Sequence, residues 1–170
     1  GMLVGEENRG WQLITTQLNF ERVALGPSGK IWKAYQPVLE WARTHSTPDG
    51  RRVIDIPWVR HNLARVRAKL EVADLFNWRV AALQESGLPT PADASAMKVY
   101  GTELTIEALR LLMEIVGPEA GIADGAGAVL AGALDHQYKG ALVGTFGGGV
   151  NEVQREIVAA AGLGLPRVPR

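Results

Sequence analysis

A single spacing constrains this chain more than any other feature. Val59, Leu63, Val66, Leu70, Ala73, Asn77, Val80 and Leu83 recur in steps of three or four residues. A strand repeats every second residue, so this spacing fits a helix with one apolar stripe. The stripe runs along a helix of roughly eight turns. Arg60, Arg65, Arg67, Lys69, Glu71 and Asp74 fall off it, as on a helix with a wet outer side. Asp55 is placed to cap this helix, Pro57 stands in its first turn, and Gly87-Leu88-Pro89 ends it. So long a stripe is buried against other long helices. The fold class that follows is all-α, an antiparallel helical bundle.

The rest of the chain supplies those partners. Thr90-Pro91-Ala92-Asp93 reads as a helix start, with a Thr cap, Pro at the first helical position and an acid at the third. Met97, Gly101, Leu104, Ala108, Leu111 and Ile115 continue it as a second stripe, and Gly117-Pro118 stops it. Before these lies a helical zone from Gly10 to Arg43, broken at Gly26-Pro27. Thr44 to Asp55 is a polar loop with turn chemistry at Pro48-Asp49-Gly50. Glu119 to Leu134 is rich in Gly and Ala and reads as loop with a short helix. Asp135 to Val143 forms one more short helix, and Asn151 caps a last one ending at Gly162. Met2 to Val4 is the one stretch with strand character. Both long stripes read as core seams rather than a cofactor box.

Composition excludes several function classes. Lys plus Arg equals Asp plus Glu at 18 each, so no net charge favours nucleic acid or an anionic membrane. The chain has no cysteine, hence no disulfide and no thiolate metal site, which fits a cytoplasmic protein. No apolar run approaches the length of a membrane span, and the N-terminal residues lack the pattern of a secretory leader. His45, His61 and His136 show no metal-ligand spacing, so no metal is expected. Trp11, Trp32, Trp41, Trp58 and Trp78 are scattered and read as packing or interface anchors.

Chemistry is harder to place. Phe146 to Val158 reads FGGGVNEVQREIV. Glycines before a helix either cradle an anion on backbone N–H groups or let the chain turn. No Lys-Ser/Thr follows and no strand precedes, so a stand-alone phosphate loop is a weak reading. The stretch holds no general base before Glu152.

Three stretches change the reading. ENRGWQLITTQLNFER (7–22), VRHNLARVRAKLEVADL (59–75) and GGGVNEVQREIVAAAGLGLPR (147–167) together resemble the C-terminal domain of the acyl-CoA dehydrogenase family, in order and spacing. The resemblance implies that residues 1–170 form one antiparallel four-helix-bundle domain. It places the family's helical and β-barrel domains, which supply much of the FAD and acyl-CoA site, outside this chain. It also implies FAD as cofactor, an acyl-CoA substrate, homo- or hetero-oligomers through the bundle, and an electron-transfer protein as acceptor. The family's reaction removes the α-proton of an acyl-CoA with a carboxylate while a hydride leaves the β-carbon. That base must be dry, with its pKa raised toward neutrality.

The family places that carboxylate at one of two positions. One is just before the Gly that precedes the last helix, and here it is Gly148. The other is in a Leu-x-x-Glu-Arg run, here Leu18-Asn19-Phe20-Glu21-Arg22. The resemblance therefore assigns Glu21 as catalytic base, with Arg22 and Gly149 at the substrate. Neighbours Leu18, Phe20, Val23 and Leu25 suit the burial such a base needs. The structural alternative is an ion pair on an exposed face. Positions matching FAD contacts are Glu114, Gly117, Val150, Asn151 and Glu152. Several depart from the family pattern. The Arg-x-x-Phe-Gly run is absent and Pro57 stands where a Gln is usual. Glu114 replaces an amide, Pro118 replaces a Gly, and Val150 lacks the usual hydroxyl. Such losses resemble subunits of heteromeric acyl-CoA dehydrogenases of the actinobacterial steroid-degrading type, where not every subunit holds its own flavin. A second reading follows from them: an assembly subunit that oligomerises, or pairs with a catalytic partner, and does no chemistry itself.

Overall fold

The computed structural model describes residues 2–24, 28–86 and 90–166, without the side chains of residues 19, 20, 22–24 and 84–86. Six α-helices follow in order: α1 (Gly10–Ala24), α2 (Ser28–Thr44), α3 (Pro57–Ser86), α4 (Pro91–Val116), α5 (Ala133–Val143) and α6 (Asn151–Ile157). A π turn, Val158–Gly162, extends α6. The breakers at Gly26-Pro27 and Gly87-Leu88-Pro89 lie outside the described residues, as do Leu25 and Arg167. The helices beside them end at Ala24 and Ser86 and restart at Ser28 and Pro91.

The α3 stripe is where the spacing put it. Val59, Leu63, Val66, Leu70, Ala73 and Val80 are all buried. Arg60, Arg65, Arg67 and Glu71 are exposed. Fully burying side chains of this size contributes about 1.5–3 kcal/mol each, so the stripe holds α3 down. The start of α4 is the capping box read from the sequence. The Thr90 side chain accepts from the Asp93 N–H, and the Asp93 carboxylate accepts from the Thr90 N–H. Gly117 ends α4 at φ 89°, and its N–H donates to Met113 O.

The bundle is built around α4. It packs against α1, α2, α3, α5 and α6. Its stripe of Met97, Leu104, Ala108, Leu111 and Ile115 is buried, but so are Ala94, Ser95, Lys98, Thr102, Leu109, Leu112 and Val116 on its other sides. The helix is buried over a wide arc rather than on one seam, while Glu103, Arg110 and Glu114 stay exposed.

Three local expectations need correction. Met2 to Val4 make no strand and stand exposed. Their apolar side chains find no partner strand among the described residues. Asp55 does not cap α3. It sits in a 3-10 turn, Val53–Asp55, and accepts from Arg52 at 2.9 Å. Asn151 does not cap α6: Val150 stands there, without a side-chain cap. Residues 118–132 contain two 3-10 turns, Pro118–Gly121 and Val129–Gly132. Leu130, Ala131 and Gly132 in the second have φ of 52°, 54° and 70°, a left-handed run that aims α5 back at α4.

Candidate functional site

The sequence-predicted residues fall into three places on the bundle. Glu21 lies on α1, and its side chain is exposed. The burial expected of it is not present within this chain. Leu18 is half-buried, while the side chains of Phe20, Arg22 and Val23 lie outside the described residues. α1 packs against α4, yet Trp11, Leu13 and Ile14 stay 75%, 46% and 41% exposed. So α1 offers an apolar, uncovered surface that carries a carboxylate.

The second place is the loop from Thr145 to Val150. Gly148 and Gly149 have φ of 69° and 97°, values that disfavour any residue with a Cβ. A Cβ at Gly149 would lie 2.6 Å from Gln154 Nε2. These glycines are therefore required by the turn itself. Gly149 N–H donates to Phe146 O, and Asn151 N–H donates to Thr145 O.

Below the loop lies a polar cluster of which sequence reasoning named only Asn151. Ser95, Lys98 and Thr102 share one face of α4 by their spacing, and Asn151 and Gln154 meet them from α6. Lys98 Nζ donates to Thr145 O at 3.0 Å and to Asn151 Oδ1 at 2.5 Å. Asn151 Nδ2 donates to Thr102 Oγ1 and Glu103 Oε1, both at 3.1 Å. Ser95 Oγ donates to Gln154 Oε1 at 2.9 Å, and Gln154 Nε2 donates to Gly148 O at 3.3 Å. Arg155 closes the edge on Glu103 at 2.7 and 2.8 Å. Asn151 is thus turned into the protein, whereas Glu152 beside it is exposed and Val150 half-buried. A signal for this cluster was present: a Lys next to a core stripe, and a Gln one turn after an Asn.

The third place is a cleft of about 450 Å³ at the C-terminal end of α4. It is lined by Trp41, His45, Trp58, Glu114, Gly117 and Glu119, among others. His45 stacks on Trp41 with ring centroids 4.7 Å apart. Glu114 accepts from Arg110 at 2.8 Å and from Asn62 at 3.3 Å. Arg52, close by in sequence, is hydrogen-bonded to Asp55, and that bond holds the Asp55 carboxyl below the usual range. A diphosphate needs positive charge or free N–H groups. This cleft offers two carboxylates and no Lys or Arg in its lining, so it holds no cation for a diphosphate. A further cleft of about 550 Å³ lies between α2, α4 and α5, lined by Lys30, Ile31, Lys33 and Leu109 among others. None of the sequence-predicted residues lines it.

No group of three or more His, Asp or Glu that could hold a metal occurs among the described residues. No helix among them is long and apolar enough to cross a membrane.

Comparison with known proteins adds to this geometry. Residues 8–163 match the family described as "Acyl-CoA dehydrogenase, C-terminal domain". The chain is 50% identical to "Acyl-CoA dehydrogenase FadE26" of Mycobacterium tuberculosis, over 98% of this chain and 43% of that protein. It superposes on a chain of the ChsE4-ChsE5 complex from Mycobacterium tuberculosis with a TM-score of 0.88 and 51% identity, covering 97% of this chain and 43% of that one. The structure called "Tcur3481-Tcur3483 steroid ACAD" is similar at a TM-score of 0.88 and 46% identity, covering 97% and 42%. The chain spans less than half the length of these relatives.

Proposed function

The chain belongs to the acyl-CoA dehydrogenase family as its C-terminal domain, and from that premise we propose that it serves in α,β-desaturation of an acyl-CoA thioester, with Glu21 as the base. One observation carries the choice of base. The other position where the family places a carboxylate is Gly148, whose φ of 69° is left-handed. A glutamate there would strain the backbone by about 1–2 kcal/mol. The loop is built without a base, and the carboxylate left at a family position is Glu21 on α1.

In this reading the chain's residues have distinct tasks. Glu21 takes the α-proton at a carboxylate oxygen. Arg22, next to it, serves the anionic part of the substrate. The open turns at Gly148 and Gly149 let the thioester pass close to the backbone before α6. Water must be excluded from Glu21 for its carboxylate to act as a strong base. The exposed apolar surface of α1 is where a covering domain or subunit would do so. The 170 residues alone do not preorganise such a site and are inactive in isolation. In this reading residues outside this chain supply most of the FAD site, and the acidic cleft at Glu114 adds no cation for its diphosphate.

The assembly of the relatives points the same way. The ChsE4-ChsE5 structure is a complex of two different chains, and the Tcur3481-Tcur3483 structure is called a steroid ACAD. We infer a hetero-oligomer acting on a bulky acyl-CoA. The acidic cleft favours one further reading, in which this subunit serves assembly and its partner alone performs catalysis. The full-length protein, purified with its partner subunit and supplied with FAD, separates these. The desaturase reading predicts flavin bleaching on addition of a bulky acyl-CoA, abolished by Glu21→Gln. Bleaching that survives Glu21→Gln assigns catalysis to the partner.

A further inference from the structure

Lys98 is fully buried, and among the described residues it is the largest side chain that is so. Desolvating an ammonium is costly, and an apolar side chain of similar length would fill the same space at lower cost. What an apolar residue cannot do is donate hydrogen bonds. Lys98 donates to Thr145 O and to the side chain of Asn151. Those residues stand at the two ends of the Phe146–Val150 turn. One amino group therefore ties both ends of the loop to α4.

A second post stands one turn earlier on the same face. Ser95 holds Gln154, and Gln154 holds the carbonyl of Gly148 in the middle of the loop. The turn needs such support. Two consecutive glycines with positive φ leave its backbone more freedom than any other residues would. Its outer side is open: Phe146, Gly147 and Gly149 are exposed.

We propose that Lys98, backed by Ser95 and Gln154, is a positioning residue that fixes the glycine turn from below so that its exposed side is preset for the acyl thioester. The proposal rests on the desaturase reading for the identity of the ligand. Lys98 does not touch the ligand; it acts through the backbone of residues 145–151.

The test uses the full-length protein with its partner subunit. Backbone hydrogen exchange is read over residues 146–151 and over the α3 stripe. Lys98→Met is expected to speed exchange in 146–151 by roughly 10–100-fold, the loss of two buried hydrogen bonds, and to leave the α3 stripe unchanged. The turnover number per bound flavin should fall about tenfold. Lys98→Gln, which keeps a donor, should fall between Met and wild type in both readouts. Ser95→Ala removes one hydroxyl and leaves the core filled, so it decides the matter if Lys98→Met does not fold. It should speed exchange at 147–149 by about threefold or more. Unchanged exchange in the loop overturns the proposal, as does a uniform rise that includes α3. A loosened loop with full turnover overturns the positioning role and leaves only the anchor. If the wild-type assembly turns over no acyl-CoA, the desaturase reading fails, while the exchange arm still decides whether Lys98 holds the turn.

Discussion

The three glycines before α6 are not equivalent, and a two-variant comparison shows it. Gly147 does not have a positive φ, and the nearest atom to an added Cβ is Val143 O at 3.9 Å. Gly147→Ala therefore meets open space and restricts the unfolded chain, a gain of about 0.4–1 kcal/mol. Gly149 has φ 97°, and its Cβ would come within 2.6 Å of Gln154 Nε2. The left-handed backbone costs about 1–2 kcal/mol. Gln154 is fully buried and tied to Ser95 and Gly148. Moving its amide breaks one or two buried hydrogen bonds, about 1 kcal/mol each. Gly149→Ala should thus lose about 2–4 kcal/mol. Urea unfolding followed by tryptophan fluorescence measures both. The two variants should differ by roughly 2.5–5 kcal/mol in opposite directions from wild type. Equal effects, within about 0.5 kcal/mol, would refute the claim that backbone geometry sets the need for glycine here.

Two other perturbations follow from the packing. Gly132→Ala should be worse than Gly149→Ala, because its Cβ would lie 1.8 Å from Ala123 O and meets backbone rather than a movable side chain. A loss above about 4 kcal/mol, or failure to fold, is expected, and a urea midpoint near wild type would contradict it. Glu107 on α4 lies 2.5 Å from Arg65 and is also paired with Lys69, both on α3. Burial pushes its carboxyl up, but Lys69 and Arg65 more than offset that, so it titrates below the usual glutamate range. A lowered folded value means the clamp is intact above the ordinary glutamate pKa of about 4.3 and is lost as pH falls through the lower folded value. Urea midpoints measured across that acid window should fall less in Glu107→Gln than in wild type. An identical acid limb would show that the clamp contributes nothing.

The long helices were legible because their information is local. Each α3 stripe residue needs only its neighbours three and four positions away, and Thr90 and Asp93 cap each other within one turn. The breadth of the buried arc of α4 was not legible. Its stripe of Met97 to Ile115 names one seam, but burial of Ser95, Lys98 and Thr102 depends on α5 and α6. Those helices arrive through residues 119–132, which have no periodicity and turn through a left-handed run. Asn151 was misread as a cap for a related reason. An Asn before Glu-Val-Gln-Arg fits a cap on local grounds, but a buried Lys on another helix draws its side chain inward. The site was legible only in its residue types. The proposal of Glu21 rests on the Leu18-to-Arg22 run, and its exposure in this chain could not be read from neighbours in sequence, because what covers α1 is not set by α1.

Glu21→Gln in the full-length protein, prepared with the proposed partner subunit and with flavin, tests the central claim most directly. The substitution keeps size and hydrogen bonding and removes the base. The account predicts that flavin reduction by acyl-CoA slows by about 10²–10⁴-fold while flavin content and acyl-CoA binding persist. Reduction at the wild-type rate would contradict it and place the base on another chain.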